Sequence, residues 1–496
     1  MTKKFQFLIV VWMIAMLAAA AAPGFCGFPM EDQVVKTKLS NGLTVLLVRQ
    51  TLSPTAAFYI RYRVGAVDEE PGKSGAAHFL EHMMFKGTTT IGTKNYPEEE
   101  KLLAQIEETG KALAREKKKG KKSDPKVLKR LGDELSRLQN EHRKLFTPNE
   151  IDRLYTENGG LDMNAATGQD LTTYHVNLPA NKIELWARIE SDRLLHPVFR
   201  EFYTERDVVM EERRQRVESD PEGKLYENFM SAAYRKHPYG RPILGWARDL
   251  MNLHPDDIRK IHGKYKTPGN IVIAVVGDID IQRTLQIIEK YFSRIPARKE
   301  KAIPVASEPQ QTSERRIRVK FDASPSLIIG FHKPNAPVYA DYVFDVLETI
   351  LTKGRTSRLY RALVTDSQIA KSVTAINGIP ASRYPNLFII MAQPRHPHSN
   401  KELEKAVLRE IEKIKNEPVT EEELTRAKKN IRMEYFKSMD SNDEIASTLS
   451  YYESLFGDYR YFANYLNEIE KVSADDLQKA AKKYLTKNNR TVATLN

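Results

Sequence analysis

Part of this chain is written twice, and that limits its folds more than any other feature. Pro255-Asp256-Asp257-Ile258, followed by Tyr265-Lys266-Thr267 and Asn270, matches Ala474-Asp475-Asp476-Leu477, followed by Tyr484-Leu485-Thr486 and Asn489, at an offset of 219 residues. Both copies run from a helix pattern into a strand pattern. Earlier, Asp345-Val346-Leu347-Glu348-Thr349 can be set against His78-Phe79-Leu80-Glu81-His82 at an offset of 267. The first copy therefore carries an insertion, and the chain reads as two homologous halves. A length of 496 residues accommodates more than one domain, and 41% hydrophobic residues suffice for sizeable cores. Strands come in runs with helices between and after them, which fits α+β better than a doubly wound parallel sheet. The expectation is two α/β halves, each a mainly antiparallel sheet with helices packed on one face, in a clam-like arrangement. The first half spans 34–295, a polar linker with Pro304 and Pro309 spans 296–314, and the second half spans 315–496.

The insertion covers 99–148. Leu103, Ile106 and Leu113, then Leu128, Leu131, Leu135, Leu138 and Leu145, recur at near-heptad spacing, with His142 in the missing position. Between the two arms lies Lys117-Lys118-Lys119-Gly120-Lys121-Lys122-Ser123-Asp124-Pro125. The pattern predicts a helical hairpin standing off its domain. Between Lys101 and Glu150 there are 14 Lys or Arg and 8 Asp or Glu, half of the chain's formal charge of +12. No aromatic residue is interleaved with its lysines, as a base-stacking surface would need, so nucleic acid is not expected as a partner. A solvated hairpin, or one that meets a partner or an anionic membrane surface, fits the pattern.

Chemistry concentrates at His78-Phe79-Leu80-Glu81-His82. Neither Gly nor Pro interrupts residues 76–85, and residues four apart share a helix face. His78 and His82 can thus aim two imidazoles at one zinc ion, while Glu81 beside them can take a proton from water. The pentapeptide alone fits a metal helix or a buried helix with satisfied histidines. A third ligand would decide. Glu205 and Glu212 lie two helical turns apart and share a face, although Arg206, Arg213, Arg214 and Arg216 also fit a solvated helix.

Together, His78 to His82 and the later pair Glu205 and Glu212 resemble the pitrilysin/insulinase family of zinc peptidases, which includes the mitochondrial processing peptidase. The likeness extends through Gly159-Gly160-Leu161-Asp162-Met163-Asn164-Ala165-Ala166-Thr167 and His237-Pro238-Tyr239-Gly240, covering nearly everything after residue 35. The resemblance implies that His78, His82 and Glu212 bind one zinc ion, that Glu81 is the general base, and that Glu205 supports the site. Glu211 is turned about 100° from Glu212 on a helix, so Glu212 is preferred. The loop 159–167 would line the substrate site, with Asn164 and Ala165 at a sheet edge to which a peptide adds as a strand. The implied activity is hydrolysis of peptides or unfolded segments. In the second copy the histidine positions hold Asp345 and Thr349, so only the first half is expected to be catalytic. The family's Arg and Tyr, seven apart in the second half, fall at Val364 and Lys371. Their absence suggests a partner subunit that supplies them. The alternative is a non-catalytic scaffold or partner subunit of such a complex.

Residues 1–27 read as a signal peptide: Lys3 and Lys4 precede an apolar run from Phe5 to Ala22. Export, with the bacterial periplasm as address, is expected. The run is just long enough to remain as an uncleaved membrane anchor, and Cys26 offers a lipoprotein alternative. As the chain's one cysteine, Cys26 leaves no internal disulfide and no Cys-based zinc ribbon.

Overall fold

A computed structural model describes residues 31–298 and 304–496; the expected export segment with Cys26, and 299–303 of the linker, lie outside the described residues. In the first half β1 (Val35–Lys38), β2 (Thr44–Arg49), β3 (Thr55–Tyr62), β4 (Leu161–Thr167), β5 (Thr172–Pro179) and β6 (Ile271–Gly277) form one sheet in the order β1-β2-β6-β3-β5-β4. In the second half β7 (Arg315–Val319), β8 (Ser326–Lys333), β9 (Ala370–Ile379), β10 (Asn386–Pro394) and β11 (Arg490–Leu495) follow the order β7-β11-β8-β10-β9. With β1 set aside, the two orders coincide strand for strand. Each sheet has one parallel pair, β2 with β6 and β7 with β11, and its other pairs are antiparallel. The repeat seen in the sequence is thus a repeat of topology.

The first half contributes helices α1 (Ala76–Met83), α2 (Tyr96–Lys118), α3 (Pro125–His142), α4 (Glu150–Glu157), α5 (Ile183–Leu195), α6 (Phe202–Arg213), α7 (Pro221–Ala233), α8 (Ala247–Met251), α9 (Pro255–Tyr265) and α10 (Ile281–Phe292). The second half contributes α11 (Tyr339–Thr352), α12 (Asn400–Asn416), α13 (Glu421–Lys437), α14 (Asn442–Phe456), α15 (Arg460–Lys471) and α16 (Ala474–Tyr484). None of these is long and apolar enough to cross a membrane.

Alternation along each strand assigns its side chains to two faces. In β3, Phe58, Ile60 and Tyr62 join a core with Phe79 of α1, Trp186 of α5, Ile258 of α9 and Phe292 of α10. Ala57 and Tyr59 face the other way, where Leu46, Val48, Val272, Ala274 and Val276 meet Ile445 and Leu449 of α14. That helix belongs to the second half. The loan is returned: Leu225, Phe229, Met230 and Ala233 of α7 cover Ile328, Leu387, Ile389, Ala493 and Leu495 of the second sheet. Each sheet has its own helices on one face, as expected, and a helix from the other half on the opposite face.

Polar contacts fix the exchanged helices. Arg61 is buried on β3 and donates to Ser450 Oγ (2.8 Å), Ser447 Oγ (2.9 Å) and Thr173 Oγ1 (2.8 Å). The linker is also tied down. Glu308 accepts the backbone N–H groups of Arg235, Lys236 and His237 and pairs with Arg315.

Two expectations need correction. Residues 161–167 form strand β4 rather than a loop, because pairing with β5 overrides the low strand propensity of Asp162 and Asn164. The hairpin α2–α3 exists, but it does not stand off the domain. Its seam closes toward the base, from half-buried Leu128 and Leu131 to fully buried Leu138 and His142. There Glu99 accepts from Arg200 Nε and lies 2.9 Å from His142 Nε2, all three side chains being buried. Gly110 receives the Tyr203 ring of α6: a Cβ at Gly110 would lie 2.0 Å from the Tyr203 hydroxyl oxygen. Leucine spacing announced the helix pair. What it lacked was the polar pattern, Glu99 and His142, that bolts the pair to Arg200.

Truncation of an exchanged side chain tests the fold. Phe229 is fully buried between α7 and the second sheet. Phe229→Ala should cost about 3–5 kcal/mol and lower the unfolding midpoint of the whole chain, measured by denaturant titration.

Candidate metal centre

Helix α1 starts where the backbone forces it to. Gly75 has φ +89°, and a Cβ there would meet Gly245 Cα at 2.9 Å and Leu250 Cδ2 at 2.7 Å. The first free N–H groups of the helix are taken by buried Glu69, which accepts from Gly75 N (3.0 Å) and Ala77 N (2.8 Å). Burial pushes the Glu69 carboxyl up to about 8, although both backbone donors favour its charged form. Apolar Phe79, Leu80 and Met83 seat the helix in the core. Its remaining face presents His78, Glu81 and His82 toward α6, where Phe79 packs edge-on against Phe202.

One potential ligand atom each from His78, His82 and Glu212 lies within 4.8 Å of the others. Glu212 Oε2 is 3.6 Å from His78 Nε2 and 3.5 Å from His82 Nε2. These separations are long for hydrogen bonds. They are close to the roughly 3.3–3.4 Å expected between donors of a tetrahedral zinc site with bonds of about 2.0–2.1 Å. Two imidazoles and one carboxylate are also a donor set that zinc accepts, so the residues fit the ion the sequence implied. Lys86 Nζ lies 2.6 Å from Glu205 Oε2, and His82 Nδ1 lies 2.8 Å from Glu205 Oε1. Glu205 therefore fixes the His82 ring with Nε2 directed at Glu212. Histidine ligands commonly use their second nitrogen in this way.

The electrostatics separate the two histidines. Burial, reinforced by the charge of His82, pushes His78 down to about 4. Burial opposes charge on His82 too, but its contacts with Glu205 and Glu212 outweigh that and push it up to about 9. Burial likewise works against the Glu205 carboxylate, yet His82 and Lys86 hold it down to about 2. Glu212 is lowered chiefly by His82. Glu81 is raised by burial, against a 2.5 Å hydrogen bond from Thr167 Oγ1 to its Oε2.

His78, Glu81, His82, Glu205 and Glu212 are thus brought together. Glu211 points away, held by Arg214 at 2.6 Å. His175 takes no part and stacks on Tyr59. Asn164 and Ala165 lie on β4, the outermost strand, paired with His175 and Tyr174 on its inner side only. Sequence reading missed Glu69, Lys86 and Thr167. Lys86 stands four residues after His82, a spacing that could have flagged it. Thr167 carried no local signal, because only sheet pairing carries β4 to α1.

Residues 44–116 and 143–246 match the family model described as insulinase (peptidase family M16), and residues 252–431 match the model described as peptidase M16 inactive domain. The unmatched stretch 117–142 lies in the insertion. The zinc protease PqqE of Helicobacter pylori is 27% identical over 466 residues, 92% of this chain and 91% of that protein. The crystal structure of a protease from Helicobacter pylori superposes with a TM-score of 0.77 at 24% identity, covering 93% of this chain and 99% of that one. A peptidase M16 inactive domain from Pseudomonas fluorescens gives a TM-score of 0.72 at 17% identity, covering 93% and 97%. These two structural likenesses establish the fold.

Removing the carboxylate behind His82 should loosen the metal. Glu205→Gln should weaken zinc affinity about 10–100-fold in competition with a chromophoric chelator. Zinc uptake also has a predicted proton count. Below about 9 His82 carries its proton, and a ligating imidazole must be neutral. Loading the chelator-stripped chain at pH 7.5 should release close to one proton, seen as a buffer-dependent heat in titration calorimetry.

Proposed function

The chain belongs to the M16 family of peptidases, and from that premise we propose that it is a zinc metalloendopeptidase acting on peptides or unfolded protein segments. The observation that carries the reading is the convergence of His78, His82 and Glu212 within 4.8 Å, with Glu81 on the same helix. When bound, zinc supplies a Lewis acid that acidifies water and polarises a carbonyl. His78, His82 and Glu212 would hold it, and Glu205 keeps the His82 ring in place. Glu81 accepts a proton from water and hands it to the leaving amine nitrogen. Its burial favours the protonated form in the second of these steps. Thr167 Oγ1 donates to Oε2, which leaves Oε1 for the transfer.

The substrate is held by backbone pairing. Strand β4 is a sheet edge, and its Thr167 end touches Glu81. An extended peptide adds alongside Asn164 and Ala165 as a further strand, which brings its peptide bonds past Glu81 whatever its side chains are. The basic start and apolar run of residues 1–27 support export from the cytoplasm, with the periplasm as the favoured address.

A second reading, a non-catalytic partner subunit, draws on the description of the model matched by 252–431 as an inactive domain. A mixed case is included in our proposal: the catalytic chain works with a subunit that supplies the Arg and Tyr absent at Val364 and Lys371. One experiment separates these. Purified wild type and Glu81→Gln are compared for bound zinc and for cleavage of an unstructured peptide mixture. The expected result is zinc in both, with cleavage in Glu81→Gln lower by about 10²–10⁴-fold. Turnover by wild type alone near about 10 s⁻¹ would remove the need for a partner. Equal cleavage in both proteins would overturn Glu81 as the base. Zinc in both with cleavage in neither would leave the metal site standing and point to the missing Arg/Tyr subunit, whereas no stoichiometric zinc in either would favour the non-catalytic reading.

A further inference from the structure

The α2–α3 hairpin divides into two chemically different parts. At its base, charge is matched: Glu99 with Arg200, and Lys111 and Arg259 with Glu107 and Asp256. At its tip, charge is unmatched. From Lys117 to Arg130 there are eight Lys or Arg and one acid, Asp124. All eight cations are exposed, and among the described residues Lys119 alone has an ion-pair partner, Glu116. Asp124 is engaged as the helix cap, accepting from Lys126 N.

The tip is also built to hold its shape. Glu116 is buried and accepts the backbone N–H of Asp124 at 2.9 Å, closing the turn from inside. Ser123 Oγ donates to Gly120 O, and Gly120 sits at φ +58°. An ordered array of like charges, of which Lys119 alone is paired, raises the local potential and attracts a polyanion. Three observations indicate which one. The tip has no aromatic residue on which bases could stack. Its two large apolar side chains, Val127 and Leu128, are half-buried, which leaves no exposed apolar anchor of the kind that centres a protein interface. Clusters of four to eight Lys or Arg are the pattern that anionic lipid surfaces recognise.

We propose that the hairpin tip, Lys117 to Arg130, is a docking surface for anionic phospholipid headgroups, which holds the peptidase against a membrane. The docked base then joins that contact to α6, the helix that bears Glu205 and Glu212, through Tyr203 against Gly110. The surface is independent of the metal site, so neither proposal needs the other.

The test is vesicle co-sedimentation of the full chain, wild type beside K117S/K118S/K121S/K122S. Vesicles are phosphatidylcholine alone or with 30% phosphatidylglycerol, at low and at 0.5 M salt. Both proteins carry residues 1–27, so the difference between them reads the tip. At about fivefold per lysine, the variant should bind anionic vesicles at least tenfold more weakly at low salt. The gap should close at 0.5 M salt. Peptide cleavage and melting temperature should match wild type, since the four side chains are exposed and remote from the metal ligands. Equal partitioning of the two proteins, or equal binding of wild type to both vesicle types, would overturn the proposal. So would wild type that ignores vesicles but binds duplex DNA or polyglutamate through the same four lysines.

Discussion

A sheet that is apolar on both faces has to be covered twice, and this constraint organises the molecule. Strands β2, β3 and β6 are buried along almost their whole length. One half cannot supply helices for both faces of its own sheet, because its helices follow the strands on one side. The second face of each sheet takes a helix from the other half, α14 on the first and α7 on the second. The two halves are therefore one folding problem. Neither could be separated without exposing a contiguous apolar face. Arg61 makes the junction specific as well as tight, since its guanidinium is satisfied only when Ser447 and Ser450 arrive from the second half.

Within that frame the candidate metal centre is an arrangement of buried charge. Carboxylates are costly to bury unless something compensates them, and each one here is compensated in a way that places a neighbour. Glu69 takes the two N–H groups that start α1. Glu205 sits between His82 and Lys86. Arg200, just before α6, satisfies three backbone carbonyls, those of Lys86, Ile91 and Thr88, and also Glu99 of the insertion. The insertion thus buttresses the helix that carries Glu205 and Glu212. Its removal would take Gly110 from Tyr203 and Glu99 from Arg200.

The candidate metal residues were legible because their spacing is local: His82 follows His78 by four positions, and Glu212 follows Glu205 by seven. The repeat was legible for a similar reason, since helix-to-strand junctions keep their residue order. Helix exchange was not. Nothing in the residue pattern of 221–233 or 442–456 says which sheet those helices will cover. The strand β4 was hidden by its polar composition, which suits an edge better than a centre. The docked base of the hairpin was hidden because heptad leucines announce a helix pair without saying where the pair lies.

The second half shows what the same backbone does without a metal-type ligand set. Its counterpart to α1 is α11, with Asp345, Glu348 and Thr349 at the positions of His78, Glu81 and His82. Glu348 still accepts from the facing strand, here the backbone N–H of Asn377 on β9, much as Glu81 accepts from Thr167 on β4. Asp345 is half-buried and is satisfied by Asn377 Nδ2 at 2.8 Å and Tyr465 Oη at 2.9 Å. The positive charge comes from the chain itself: Lys333, at the end of β8, is buried against Asp341. Burial and neighbouring Asp341 push the Asp345 carboxyl up to about 7, which lowers its net charge without any ion. Duplication has thus produced two helices in equivalent places with opposite electrostatic solutions. One gathers two imidazoles and a carboxylate around a point that an external cation would fill, and the other neutralises its acids with an internal ammonium and hydrogen bonds.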